Sequence, residues 1–176
     1  EGRVWLEGGE FERFRGGAHV PGTTGDLGYF VALNVRETDG LRDTFRNDRE
    51  QISGKLVYSP ADGSRLTLRG EHIDRDEVFP GDLLQSEFDT DPTQVGRIAG
   101  SDEELESQLV SLKFDQTVGT NGQLEIVSVV RGQDSEGLAR FQGPNRSELV
   151  DLTIKALYHH RWNTASTDLI VGVERF

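Results

Sequence analysis

Hydrophobic and polar positions alternate along most of the chain with a period of two, the mark of strands whose two faces meet unlike surroundings. The cleanest run puts Val150, Leu152, Ile154, Ala156 and Tyr158 on one face and Asp151, Thr153, Lys155 and His159 on the other, with no charge in the apolar stripe. Tyr29, Val31, Leu33 and Val35 form a second stripe, and Ile52, Leu56 and Tyr58 a third. Leu66 and Leu68, then Val110, Leu112 and Phe114, then Leu169, Val171 and Val173 repeat it, as do Val4 with Leu6 and Phe14, Gly16, Ala18 and Val20 near the start. Between Leu124 and Arg131 the alternation blurs, because Ile126, Val127, Val129 and Val130 are all apolar. About nine strands result, many near the 9 to 11 residues that a tilted strand uses to cross a bilayer.

The connections alternate in length. Pro21 to Asp26, Pro60 to Ser64, Gly119 to Gly122 and Asn163 to Ser166 are short and carry turn pairs such as Asp62-Gly63 and Asn121-Gly122. The polar links Asp39 to Arg49, Asp74 to Glu104 and Gln133 to Ser147 are long. An up-and-down meander gathers the short turns at one end and the long loops at the other, with Gly8 to Glu12 a short link at the long-loop end. Within the longest link, Asp91-Pro92 reads as the start of a small helix stopped by Gly96 or Gly100, and Ser101-x-x-Glu104 has capping-box spacing.

Period-two alternation alone leaves open whether the apolar face meets a protein core or lipid. Strand length, the asymmetry of the connections, and aromatics near strand ends (Tyr29, Tyr58, Phe114, Tyr158, Trp162) fit a lipid-facing surface with an interfacial girdle. The chain has 19 basic and 31 acidic residues and a formal charge of −12, which excludes a nucleic-acid binder resting on bulk positive charge. No apolar run approaches the roughly 18 to 20 residues of a spanning helix, and without cysteine there is neither a disulfide framework nor a thiolate zinc site.

Resemblance sharpens this picture. The run Gly28-Tyr29-Phe30-Val31, then Thr38-Asp39-Gly40-Leu41-Arg42-Asp43 and Gln51-Ile52-Ser53-Gly54-Lys55-Leu56-Val57-Tyr58-Ser59-Pro60, resembles the early barrel strands of TonB-dependent outer-membrane receptors. Leu66-Thr67-Leu68-Arg69-Gly70, Phe79-Pro80-Gly81-Asp82-Leu83 and Asp91-Pro92 follow in the order seen in siderophore-type members. The likeness covers most of the chain through degenerate motifs rather than a catalytic signature. It implies an all-β fold, a segment of an antiparallel up-and-down transmembrane β-barrel of about twenty-two strands. Residues 1–176 would form a partial, unclosed barrel domain, with the plug before Glu1 and further strands after Phe176. The implied partners are a ferric siderophore or similar small ligand, outer-membrane lipid of a Gram-negative bacterium, and the TonB energy-coupling protein acting through the plug.

Candidate chemistry follows the loops. Arg42, Phe45, Arg46, Phe79, Phe88, Arg140, Phe141 and Arg146 place guanidinium and aromatic groups in the long links, where they can stack on or pair with an anionic chelate. Of these, Arg42, Phe79, Phe88, Arg140 and Phe141 are the expected ligand contacts; the bland reading is that the phenylalanines only hold the loops together. His72, Asp74 and Asp76 share strand parity, and the acidic stretch from Asp74 to Asp91 suits calcium by ligand type but lacks the spacing of a dedicated loop. His159 and His160 are adjacent on a strand and point to opposite faces, so they cannot share an ion. No catalytic elbow or phosphate loop is present, so neither an enzyme nor a cofactor is expected. A small complete eight-stranded outer-membrane barrel serving adhesion or protection, and a soluble carbohydrate-binding β-sandwich, are the competing readings.

Overall fold

The computed structural model describes residues 1–60, 63–96, 100–139, 143–161 and 168–175. Strands β1 (Arg3–Gly8), β2 (Phe14–Thr24), β3 (Leu27–Glu37), β4 (Arg46–Tyr58), β5 (Ser64–Phe79), β6 (Ser101–Val118), β7 (Gly122–Ala139), β8 (Gly143–Arg161) and β9 (Asp168–Arg175) pair antiparallel in chain order within one sheet. Each strand bonds only to its predecessor and successor, so β1 and β9 are both edges and the sheet is open. The one helix among the described residues, α1 (Gln85–Thr90), lies in the β5–β6 link. This is the unclosed, all-β, up-and-down architecture expected from the alternation.

The pairing register aligns the stripes across the whole sheet. Leu33, Ile52, His72, Gln108, Gly132 and Val150 form one cross-strand row. Two residues along each strand, Val20, Val31, Gly54, Gly70, Val110, Val130 and Leu152 form the next, and Tyr29, Leu56, Leu68, Leu112, Ser128 and Ile154 the one after. The blurred segment in β7 falls into line: Leu124, Ile126 and Val130 join the apolar face, while Val127 and Val129 stand opposite Lys155 and Thr153 on the other face.

Among the described residues no second layer covers the apolar face. Leu152 is 49% exposed and Ile154 47%, and Ala32, at 8%, is the single buried hydrophobic side chain in the described strands. A soluble sandwich would bury these stripes against a facing sheet, so the sandwich reading fails. Exposure alternates the opposite way from a soluble protein. Along β6 the polar-face residues Ser107, Leu109 and Ser111 are half-buried, while the interleaved Gln108, Val110 and Leu112 are exposed. Side chains converge on the concave side of a curved sheet and splay on the convex side, so this alternation assigns the polar face to the inside of the curve. From Val150 to Tyr158 the stripe runs about 26 Å along the strand, or about 20 Å in height at a ~40° tilt, near the ~25 Å apolar band of outer-membrane barrels.

Three expectations need correcting. The link Gln133 to Ser147 is largely strand, with β7 and β8 pairing out to Ala139 and Gly143, and strands run into the other two links, Asp39 to Arg49 and Asp74 to Glu104: β4 begins at Arg46, β5 continues to Phe79 and β6 starts at Ser101. Above the apolar stripe both faces are wet, so hydrophobic alternation ends while backbone pairing continues. Pro21 likewise lies within β2, opposite Phe30, rather than in the turn, which is made at Gly25 in a left-handed conformation (φ 56°). The helix ends where one was expected to begin: Asp91 is its C-cap, and Ser101 to Glu104 are extended. The Asn163–Ser166 turn and the Trp162 girdle position lie outside the described residues.

Candidate functional site

Two regions carry chemistry: the loop cluster that closes the long-strand end, and the polar face directly below it. In the first, Arg42 joins two loops. Its Nη2 donates to the carbonyls of Gln94 (3.2 Å) and Pro80 (3.4 Å), its Nε to Gln94 (3.4 Å), and its Nη1 to Gly81. The Asp43 amide adds a bond to the Thr93 carbonyl (2.7 Å). A guanidinium suits this role because its planar fork offers five donors in fixed directions.

Beside it, Phe45 and Phe79 meet edge to face at 6.2 Å, and with Arg42, Pro80, Gly81 and Ser101 they line a cavity of about 460 Å³. A second hollow of about 570 Å³ lies on the β3–β4 loop between Phe11, Leu41, Arg42 and Arg46. Of the expected ligand contacts, Arg42 and Phe79 are thus brought together. Phe88 stands apart and exposed on α1; Arg140 and Phe141 lie outside the described residues. Arg46 and Arg146 face away from the polar side: Arg46 pairs with Asp76 and Asp48, and Arg146 with Glu148 (3.0 Å) and Asp134 (3.2 Å).

The loop acids are engaged in local structure. The Glu87 carboxylate accepts from the Leu84 amide (2.9 Å), Asp89 from the Gln85 side chain (2.8 Å), and Asp91 from the Thr93 amide (2.9 Å) and hydroxyl (2.6 Å). Among the described residues no cluster of three His, Asp or Glu side chains is placed to hold a metal ion. The Thr93 bonds hold the Asp91 carboxyl below the usual carboxylate range. A depressed carboxyl stabilises its turn above the unfolded pKa and loses that stabilisation as pH falls through the folded one. Amide exchange at Thr93 should therefore accelerate below about pH 4, and Asp91→Asn, which keeps an acceptor oxygen, should remove that pH dependence. The buried Gly96 marks a close approach: a Cβ there would sit 2.4 Å from the Asp82 carbonyl oxygen. Gly96→Ala should break the Gly96 amide bond to the Pro80 carbonyl (3.0 Å) and open the loop to protease, at a cost of about 1–3 kcal/mol.

The acidity of the chain is concentrated at one level. Where the apolar stripes end, Glu50, Asp74, Glu106, Asp134 and Glu148 form a row on the same face, and Asp48, Asp76, Glu104 and Glu136 the next. At the same height on the polar face runs a row of opposite sign: Arg15, Arg36, Arg49 and Arg75 are direct cross-strand neighbours on β2 to β5. Linear sequence hides this row, because the four residues are separated by turns and loops and align only through register. The one signal open to sequence is that each continues the polar parity of its strand.

Such a wall, wet on one side and oily on the other, with its loops gathered at one end, is a segment of a transmembrane β-barrel. Among solved structures, the ferric-catecholate import receptor Fiu from E. coli K12 superposes in its open form with a TM-score of 0.73 at 13% identity, over 96% of this chain and 32% of that one. Its closed form gives 0.73 and 13% over 98% of this chain and 30% of that one. The likeness establishes the fold, that of part of a receptor barrel, and the chain spans about a third of the solved receptor's length. No family profile and no curated protein matches the sequence.

Proposed function

We propose that this chain forms part of the barrel wall of an outer-membrane receptor that imports a bulky nutrient, a ferric siderophore. The observation that carries the reading is the inside-out sheet: an apolar face left bare from β1 to β8, with a charged face on the concave side. In lipid every backbone group must be paired, so a sheet spans a membrane only as a closed barrel. The open edges β1 and β9 therefore call for further strands, and a barrel of that size for a plug to fill it. Transport is energised through the plug by TonB, and no catalytic step takes place. Arg42 sets the mouth by holding the loops around the Phe45–Phe79 cavity, and Phe79, Phe88, Arg140 and Phe141 supply aromatic and cationic contacts to the chelate. The likeness to an import receptor's barrel supports this reading over an adhesive barrel, and the open nine-stranded sheet argues against the eight-stranded alternative.

The test is fractionation of cells expressing the complete protein, followed by uptake of radiolabelled ferric chelates under iron limitation. The expected result is recovery with the outer membrane and uptake that depends on both the protein and the membrane potential of the inner membrane. Recovery in the soluble periplasm, or uptake unchanged by deletion of the gene, overturns it.

A further inference from the structure

The apolar face is indented where β4 and β5 meet. Gly54 and Gly70 are register partners there, flanked in the same row by Val31 and Val110. A Cβ at Gly70 would meet nothing within 4 Å, and one at Gly54 only the Phe30 carbonyl oxygen at 3.9 Å. Elsewhere in the sheet a ring fills such a gap, as Trp5 does over Gly17 and Tyr29 over Gly22. The result is a hollow of about 500 Å³ on the lipid side, walled by Val31, Ile52 and Val110. Glycine inside a strand weakens it and marks a place where another group approaches the backbone closely.

The upper rim of the hollow is polar. His72 and Gln108 are register partners level with Ile52, in a row that is otherwise free of polar side chains from Leu33 to Val150. Gln108 Nε2 donates to the Glu106 carboxylate (2.9 Å), and His72 Nδ1 lies 3.9 Å from it. Small residues that admit a neighbouring backbone, with Gln or His able to bond across, characterise protein contacts inside membranes.

Shape and charge select the occupant. Ile52 and His72 close the hollow above and Leu56 and Leu68 below, so it suits a single side-chain knob rather than an acyl chain running along the strand. Two residues above the rim, about 7 Å along the strands, Glu50, Asp74 and Glu106 stand directly opposite one another. That row repels a lipid phosphate, and it repels the identical row of a second copy. A cationic group at the same height is attracted.

We propose that this hollow is the docking site of another integral protein of the same membrane, one that inserts a branched or aromatic side chain between Val31 and Val110 and carries a lysine or arginine level with Asp74 and Glu106. His72 and Gln108 bond to polar groups of the partner's embedded segment. The inference rests on the placement of the apolar face in lipid and not on which nutrient is imported.

The test places a photoreactive benzophenone side chain at Val110 of the complete receptor in intact cells, and in a separate sample at Leu152, two strands away in the same row. The expected product at Val110 is a discrete protein adduct, joined to a membrane-embedded segment with a lysine or arginine close by. Gly70→Leu, which fills the hollow, should reduce that adduct about tenfold or more, and Gly54→Val, which fills it from the other strand, should act alike. Asp74→Asn combined with Glu106→Gln should reduce it similarly, with urea unfolding showing the barrel intact. The proposal is overturned if Val110 captures only lipid or a second copy of the receptor, or if the adduct survives either the filling or the charge-removing variants. Lipid adducts at Leu152 without a protein adduct at Val110 overturn it and leave the lipid placement standing, whereas lipid adducts at neither position remove both.

Discussion

Ile154→Arg should destabilise the complete barrel in lipid vesicles by about 2–4 kcal/mol, while Thr153→Arg, one residue earlier, should change it by no more than about 0.5 kcal/mol. Ile154 lies between Leu152 on the loop side and Ala156 on the turn side, with Ser128 of β7 and Arg175 of β9 as its register partners, and projects from the bare face. Thr153 projects from the polar face, opposite Val129 and flanked along its strand by Asp151 and Lys155. A charged residue in a dry protein core would also be costly, so the distinguishing observation is a gradient. Val150, 81% exposed and next to the carboxylate row at Glu148, lies at the edge of the stripe. Val150→Arg should accordingly cost well under half of what Ile154→Arg costs, because near the interface an arginine reaches water and lipid headgroups. Equal costs at Val150 and Ile154, measured by urea unfolding from vesicles, would contradict the placement of this face in lipid.

The second large effect is local. Arg42→Met removes the guanidinium that ties the 38–45 loop to the 80–96 loop. Hydrogen bonds to a charged donor contribute about 1.5–3 kcal/mol each, though the four here share one group and do not add fully. Exchange of the Asp43 amide (bonded to the Thr93 carbonyl at 2.7 Å) and of the Gly96 amide (bonded to Pro80 at 3.0 Å) should accelerate about 10- to 100-fold. Exchange in the paired core of β6 and β7 should not change. Arg42→Lys should restore little, since a single ammonium cannot span the Pro80, Gly81 and Gln94 carbonyls together. If exchange in both loops stays at the wild-type rate, Arg42 does not organise the mouth and is free to contact ligand directly.

The strands were legible because each spans a belt with oil on one side and water on the other. Val150 to Tyr158 and Tyr29 to Val35 display that contrast in every second residue, and β8 and β3 lie where the stripes put them. Legibility failed where the contrast disappears. Beyond Glu106 and Glu148 both faces are polar, so the upper parts of β6, β7 and β8 look like loop in sequence while their backbones remain paired. The helix was misplaced for a different reason. Asp91-Pro92 fits either a helix start or a helix stop, since proline at the first helical turn is tolerated and the residue before a proline is pushed out of helical geometry. Here the second effect prevails: the Asp91 side chain is taken up by Thr93, and α1 ends at Thr90. Of the site, Arg42 and Phe79 were recognisable as loop cations and aromatics, but their meeting around one cavity depends on two loops folding against each other.

The residue order by itself determined the strand count, the parity of every strand but β7 and the end at which the loops gather, because those follow from local alternation and turn chemistry. Tertiary pairing decided the rest. It left the apolar stripes uncovered, and so assigned them to lipid rather than to a core. It also set the register that brings Arg15, Arg36, Arg49 and Arg75 into one row and places the carboxylate rows of Glu50 and Asp48 on the opposite face. A one-residue slip would reverse every face, so a charge pattern running across strands exists only once the sheet has formed.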